Sequence, residues 1–509
     1  MRLFAAIALC IIPAAVFAAN PDTDSAEHCR AMSRVQAPQT TLTAAQLVTD
    51  RQDISPFCQL EGEIAGRVGF VMRLPAANWN GKFAVTGCGG FCGSLIPDKP
   101  GYSNSMNESL KLGYAVIQTD SGHRAQSWET DWALGDERAL ELYAGAWMPL
   151  AVATGTSLVE NYYASAPRRT YFSGCSNGGR LGLFAAQRYP DLFDGIAAGG
   201  GIFDLSGNAG VHGLWLLQST RDRDGHAVID PAKIPVLARQ VMAQCDQLDG
   251  VADGVVSRPE LCTPRLDGLQ CAGADKVDCF TAGELAAVRR LYQGATVNGV
   301  RLYPGLAPGS ESLWPLWITG TDEKYQWGEL AAEGYLRMTY AVPSSQAFNP
   351  HDYQLGKELE HLLRLAPVVN ATNPDLAAFA STGGKLFYYQ GLADPLILPG
   401  RAEQYYAEAA ALQGGDQLAT FARFFMVPGQ GHCWEKPGQV ADDFNPLEVI
   451  DRWVESGQAP DQVLALQRDA NGRQLRSRKL CPLPQVAQFS GGDPDSAAAY
   501  ECVAPAAHR

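Results

Sequence analysis

Positive charge is scarce in this chain: 40 lysines and arginines face 54 aspartates and glutamates, a formal net charge of −14. That balance argues against binding to a phosphate backbone or an anionic membrane surface, and is silent on a small neutral substrate. Beyond the N-terminal segment no long apolar run is free of charge, so no internal membrane span is expected. Internal repeats and low-complexity tracts are also missing. Histidine is rare and scattered over eight positions, and no C-x-x-C pair occurs, which leaves a His/Cys metal centre with little support. What is there is a globular composition, 46% hydrophobic against 18% charged, in 509 residues that exceed one ordinary domain.

Residues Met1 to Ala18 have the layout of a secretory signal: Arg2, an apolar core from Leu3 to Val16, and a small-residue cleavage site at Val16-Phe17-Ala18. An uncleaved anchor is the alternative, but the apolar stretch is slightly short and contains Pro13. A secreted or periplasmic protein, soluble after cleavage, is expected. Of the 13 cysteines Cys10 would leave with the signal, and an even number in an exported chain points to disulfides. Connectivity does not follow from counting; local pairs such as Cys245–Cys262, Cys271–Cys279 and Cys481–Cys502 are the simplest guess.

Along the chain, a helical stretch is expected near Ala44 to Val48 and a pair of strands between Gly62 and Leu74. After the turn Trp79-Asn80-Gly81-Lys82 comes the strand Phe83 to Thr86, ending in the glycine-rich loop Gly87 to Gly93. Tyr114 to Asp120 is a buried-strand pattern, and residues 138–164 form a long helical one. The strand Thr170-Tyr171-Phe172, a turn and a helix through Leu181, Phe184 and Ala185 follow, then the strand Gly195 to Gly199. Such alternation means a parallel sheet with crossover helices, an α/β fold. Residues 204–373 break it: they carry four cysteines, several tryptophans (Trp215, Trp314, Trp317, Trp327) and many loops, and are expected to be an inserted domain. The sheet resumes at Gly384 to Gln390, followed by a helix over 401–412, the strand Phe421 to Val427, a helix near Pro446 to Ser456 and a cysteine-closed tail.

The chemistry is expected at Gly174-Cys175-Ser176-Asn177-Gly178. A strand–turn–helix around G-x-S-x-G is the nucleophile elbow, whose turn is too tight for side chains flanking the serine. The helix that follows points its amides at the serine and favours a developing oxyanion. G-x-S-x-G also recurs by chance in a glycine-rich chain, so partners are needed. In chain order such a site runs Ser, Asp or Glu, His. Asp394 lies just beyond the strand ending at Gln390, and His432 is the one histidine in a loop after a late strand. Loops at strand carboxyl ends are where open α/β sheets hold their sites. If Ser176 and His432 are hydrogen-bonded, Cys175 and Cys433 fall within disulfide reach, and a bridge would tie the two loops together.

These residues resemble the tannase and feruloyl esterase family of α/β-hydrolases. The resemblance runs over most of the mature chain, through Trp79-Asn80-Gly81, Gln187-Arg188-Tyr189-Pro190, Phe193-Asp194-Gly195, Asp394-Pro395 and Pro428-Gly429-x-Gly431-His432-Cys433, with cysteines beside both Ser176 and His432. It implies an α/β-hydrolase core of residues 19–203 and 374–509, and a lid over the acyl pocket made by residues 204–373. The implied bridges are Cys29–Cys58, Cys88–Cys92, Cys175–Cys433, Cys245–Cys262, Cys271–Cys279 and Cys481–Cys502. The segment Cys245 to Val255 alone would pass equally for a solvated acidic turn; its Asp-Gly turns suit a hard cation. The resemblance implies Ca2+ there, held by Asp246, Asp249 and Asp253 with the carbonyls of Val251 and Val255.

The expected activity is that of a secreted serine esterase acting on small esters of aromatic acids, feruloyl (hydroxycinnamoyl) esters first. Gallate esters, or terephthalate mono-esters as in mono(2-hydroxyethyl) terephthalate hydrolases, are the alternative. Ser176 would attack, His432 would take its proton, and Asp394 would orient the histidine. The amide of Asn177 and that of Gly89 or Gly90 would hold the oxyanion. A non-catalytic polyphenol- or carbohydrate-binding protein on this scaffold is the remaining class, and it would need a broken triad.

Overall fold

The computed structural model describes residues 21–433 and 439–505; the expected export signal, Met1 to Ala18, lies outside them. In chain order the main strands are β1 (Thr40–Val48), β2 (Phe57–Ile64), β3 (Val68–Pro75), β4 (Lys82–Thr86), β5 (Ala115–Thr119), β6 (Arg169–Cys175), β7 (Gly195–Gly199), β8 (Lys385–Gly391) and β9 (Ala422–Val427). They form one sheet in the order β1-β2-β3-β5-β4-β6-β7-β8-β9. β1, β2 and β3 form an antiparallel meander joined antiparallel to β5, and every later pair is parallel. This is an α/β-hydrolase core.

Alternate residues of each central strand feed two apolar layers, as the two-residue period of a strand requires. Phe172, Val85, Ile117 and Tyr388 face a core shared with helices α1 (Met148–Tyr163) and α2 (Asn177–Arg188). Tyr171, Ala84, Val116 and Phe387 face a second core, closed by the helix Pro446–Ser456. Buried on both faces, these strands are almost continuously apolar, the pattern expected of parallel sheets.

Between β7 and β8 the chain leaves the sheet. Helices α3 (Gly213–Thr220), α4 (Ile234–Cys245), α5 (Ala282–Gln293) and α6 (Trp327–Tyr340) pack around Leu214, Leu237, Leu285 and Leu336 in a core of their own. Arg221, just past α3, pairs with Glu329 of α6 at 2.7 Å, both side chains essentially buried. Removing either partner would strand a buried charge.

Two expectations are corrected. Residues 44–48 are not helical but belong to edge strand β1, where Ala45 pairs with Leu60 and Leu47 with Cys58. Alanine, glutamine and leucine favour helix locally, and the long-range ladder with β2 overrides them. The long helical pattern of residues 138–164 breaks into two pieces crossing at 61°. The break follows Gly145, whose φ of 147° no side chain tolerates, in a wide π-helical turn. Among the described residues no single helix is long and apolar enough to cross a membrane.

Among the described residues six disulfides are present: Cys29–Cys58, Cys88–Cys92, Cys175–Cys433, Cys245–Cys262, Cys271–Cys279 and Cys481–Cys502. Cys481–Cys502 closes a tail of two small hairpin-like sheets, Val463–Arg468 with Gln474–Leu480 and Val486–Phe489 with Tyr500–Val503.

Candidate active site

Strand β6 ends at Cys175 and helix α2 starts at Asn177, so Ser176 alone makes the turn. Its φ of 62° and ψ of −124° are a strained conformation that must be held by its surroundings. The hold is visible. Ser176 donates its N–H to Gly199 O at 2.9 Å, and Asn104 grips Cys175 from both sides, accepting its N–H at 3.0 Å and donating to its C=O at 3.1 Å. A Cβ on Gly178 would stand 2.1 Å from Asn104 Oδ1, which is why this position of the motif takes only glycine.

Asp394 sits in the turn after β8, and its side chain is fully buried with every oxygen occupied. Oδ1 accepts the amides of Leu396 and Ile397, each at 2.9 Å; Oδ2 accepts Gln390 Nε2 at 3.1 Å and His432 Nδ1 at 2.8 Å. With its Nδ1–H donated to the carboxylate, His432 presents Nε2 as an acceptor. The ring stands nearly perpendicular to that of Trp317, with centroids 5.0 Å apart. Cys175 and Cys433 are joined, with Cα atoms 6.0 Å apart, so the residues before the serine and after the histidine are covalently tied. Ser176 makes no hydrogen bond to His432 among the described residues; such contacts commonly tighten only when substrate is bound.

Asn177 opens α2, so its amide has no acceptor within the helix. Its side chain is a junction: Nδ2 donates to Cys92 Sγ at 3.0 Å, while Oδ1 accepts from Tyr143 Oη at 3.2 Å and Arg180 Nε at 2.6 Å. Arg180 is wholly buried, and its remaining N–H groups go to the carbonyls of Tyr143, Ala144 and Val369. The Cys88–Cys92 loop is thereby fixed against the elbow. Of its two candidate glycines, Gly90 lines the cavity with Ser176 and Asn177, and Gly89 does not.

That cavity, about 60 Å³ in volume, lies between Ser176 and the inserted helices. Most of its wall is apolar: Phe91, Ile202, Leu205, Leu216, Ile318 and Ile397. None of Trp215, Trp314, Trp317 and Trp327 lines it. Trp215 and Trp314 fill the insertion's own core, and Trp327 lies on the surface against Trp128. Abundant tryptophan in a segment marks burial as readily as recognition.

The five candidate calcium ligands share one turn. Asp246 Oδ1 accepts the amides of Asp253, Gly254 and Val255 at 3.2, 3.1 and 3.3 Å, and Asp249 Oδ1 that of Val251 at 3.0 Å. Asp253 Oδ2 is paired with Arg478 of the C-terminal tail. Burial, with the charges of Asp253 and Asp246 added to it, raises the Asp249 carboxyl above the usual carboxylate range. The all-oxygen donor set is that of a hard cation, although among the described residues no three carboxylate, histidine or cysteine side chains converge on one point. Val255 also packs on Gly429, so this turn adjoins the His432 loop.

Asn104, Arg180 and Gln390 carried no sequence signal that set them apart. The contacts through which they act are 4, 71 and 189 residues distant, from Gln390 to Asp394, from Asn104 to Cys175 and from Arg180 to Val369.

A family model described as "Tannase and feruloyl esterase" matches residues 51–503. The chain is 31% identical to an uncharacterized esterase of Xanthomonas campestris pv. campestris, over 96% of this chain and 93% of that protein. It is 30% identical to the mono(2-hydroxyethyl) terephthalate hydrolase of Piscinibacter sakaiensis, over 93% and 87% of the two chains. The crystal structure of feruloyl esterase B from Aspergillus oryzae superposes with a TM-score of 0.83 at 25% identity, covering 94% of this chain and all of that one.

Proposed function

We propose, since the chain belongs to the tannase and feruloyl esterase family, that Ser176, His432 and Asp394 are the catalytic triad of a carboxylic ester hydrolase for esters of aromatic acids, hydroxycinnamates foremost. The observation that carries this reading is the 2.8 Å bond from His432 Nδ1 to buried Asp394, joined through Cys175–Cys433 to the strained turn at Ser176.

Ser176 Oγ attacks the ester carbonyl carbon as its proton passes to His432 Nε2, and Asp394 stabilises the imidazolium without taking the proton. The carbonyl oxygen, now negative, is held by the amide of Asn177 at the start of α2 and that of Gly90 in the Cys88–Cys92 loop. Collapse breaks the bond to the alcohol, which leaves with the proton from Nε2. Water, deprotonated by the same nitrogen, then cleaves the acyl-enzyme and restores Ser176.

Residues 204–373 act as a lid that supplies the far wall of the acid's pocket. Asp246, Asp249 and Asp253, with the carbonyls of Val251 and Val255, would hold a calcium ion, which would supply positive charge to a crowded acidic turn away from the reacting atoms. The six disulfides suit an extracellular protein, and Met1 to Ala18 serve as its export signal.

The test is turnover of methyl ferulate. The wild-type protein should hydrolyse it, and Ser176→Ala should lose on the order of a million-fold in kcat with an unchanged melting temperature. Comparable rates for the two proteins would rule the triad out.

A further inference from the structure

Two side chains in the cavity wall are at odds with their surroundings. His212 and Asn208 lie in a π-helical turn, Ser206–His212, and line the cavity that holds Ser176. Both are almost wholly buried, 2% and 5% exposed. Neither ring nitrogen of His212 has a hydrogen-bond partner, and neither has Asn208 Oδ1. The Asn208 amide is oriented by its other end, where Nδ2 donates to Leu396 O at 3.1 Å, so the open atom is an acceptor. His212 rests against the ring of Tyr303, centroids 5.8 Å apart, which supports its face and leaves its nitrogens open.

A buried polar atom without a partner costs on the order of 1–3 kcal/mol, and an apolar side chain of similar size would avoid that cost. Three such atoms on one turn beside a nucleophile are therefore complementary to something that enters the cavity. The kind of group follows from their chemistry. A neutral imidazole offers one donor and one acceptor, and Asn208 Oδ1 adds an acceptor. A hydroxyl, which both donates and accepts, answers this set. A carboxylate only accepts, so it would face Asn208 Oδ1 unfavourably. No lysine or arginine lines the cavity to neutralise it. Burial holds the His212 imidazole down to about 4, so it stays uncharged at neutral pH and offers no cation either.

We propose that His212 and Asn208 bind an uncharged hydroxyl on the aromatic ring of the substrate's acid, and that this pocket selects phenolic acids over unsubstituted or carboxylated ones. The inference rests on the esterase reading above and adds to it the ring substituent and the two residues that recognise it.

The experiment compares kcat/KM for methyl 4-hydroxycinnamate, methyl cinnamate and the methyl ester of 4-carboxycinnamate. In the wild-type protein the hydroxylated ester should lead each of the others by about tenfold or more. In His212→Leu and Asn208→Leu the ratio of hydroxylated to unsubstituted ester should fall toward one, and His212→Gln, which keeps a donor and an acceptor, should recover part of it. A wild-type ratio near one overturns the inference without need of any variant. So does an equal loss on both cinnamates in His212→Leu, which would mark a merely structural histidine. Turnover of the carboxylated ester as fast as the hydroxylated one overturns the charge argument. If no cinnamate is cleaved at all, the esterase reading falls first and the inference with it.

Discussion

The two walls of the cavity treat their polar atoms in opposite ways. On the sheet side the side chains that support the triad are committed: Asp394 uses both oxygens, Asn177 uses both ends of its amide, and Arg180 places its N–H groups on four different acceptors. On the inserted side His212 and Asn208 leave three atoms open. A saturated network has one low-energy geometry, which suits groups that must be positioned before reaction. An unsaturated one is completed by what binds, which suits groups that must discriminate. On the proposed reading, one side of the pocket is built for chemistry and the other for choice.

The sharpest way to break the first half is Asp394→Asn. The amide keeps the shape but can no longer accept the Nδ1 proton in the same way, and kcat should fall by roughly 10⁴ in assays with methyl ferulate. A loss below tenfold would show that His432 is oriented by other contacts. Next in size is the double variant Cys175→Ala/Cys433→Ala. The bridge spans 258 residues, worth up to roughly 5 kcal/mol in the chain-entropy model. More tellingly, activity per folded molecule should drop about a hundredfold, since a shift near 1 Å is enough for that. Circular dichroism alongside the assay separates the two effects, and full activity in the folded double variant would mean that the loops hold themselves.

Chelation tests the inserted region from a different side. If calcium binds at about a hundred times its Kd, its removal costs on the order of 2.7 kcal/mol of stability. The melting temperature should then drop on treatment with EDTA and return with Ca2+, while kcat at low temperature changes little. An unmoved melting curve, with no metal found in the purified protein, would count against the site. The smallest effect concerns His212 and pH. Its folded pKa, about 4, lies below the ordinary value of 6.5 because of burial. Between those two values the unfolded chain carries a proton that the folded one lacks, so stability is lost as pH falls from 6.5 toward 4. At pH 5 the loss is on the order of 2 kcal/mol. His212→Phe removes this linkage, so its melting temperature should gain on the wild type between pH 7 and pH 5; parallel curves would show that the histidine titrates normally.

Much of the candidate site's geometry was legible in the chain itself. The elbow at Ser176, Asp394 past one strand, His432 past another, and the cysteines beside two of them all sit at strand ends, where local pattern and chain order carry the information. Residues 44–48 failed for the opposite reason. Their local preference is helical, and only pairing with a strand some 15 residues on makes them β1. The inserted segment was recognisable as a departure from strand–helix alternation.

The sequence alone determined the α/β core and the order of the proposed triad along it, because a two-residue or 3.6-residue period, a glycine turn and a strand end are all local properties. Only the tertiary structure decided which polar groups are satisfied. Asn104 and Arg180 became supports through neighbours far away in the chain, and His212 and Asn208 became open contacts. Whether a buried donor or acceptor finds a partner depends on the three-dimensional packing around it, and no spacing along the chain records that.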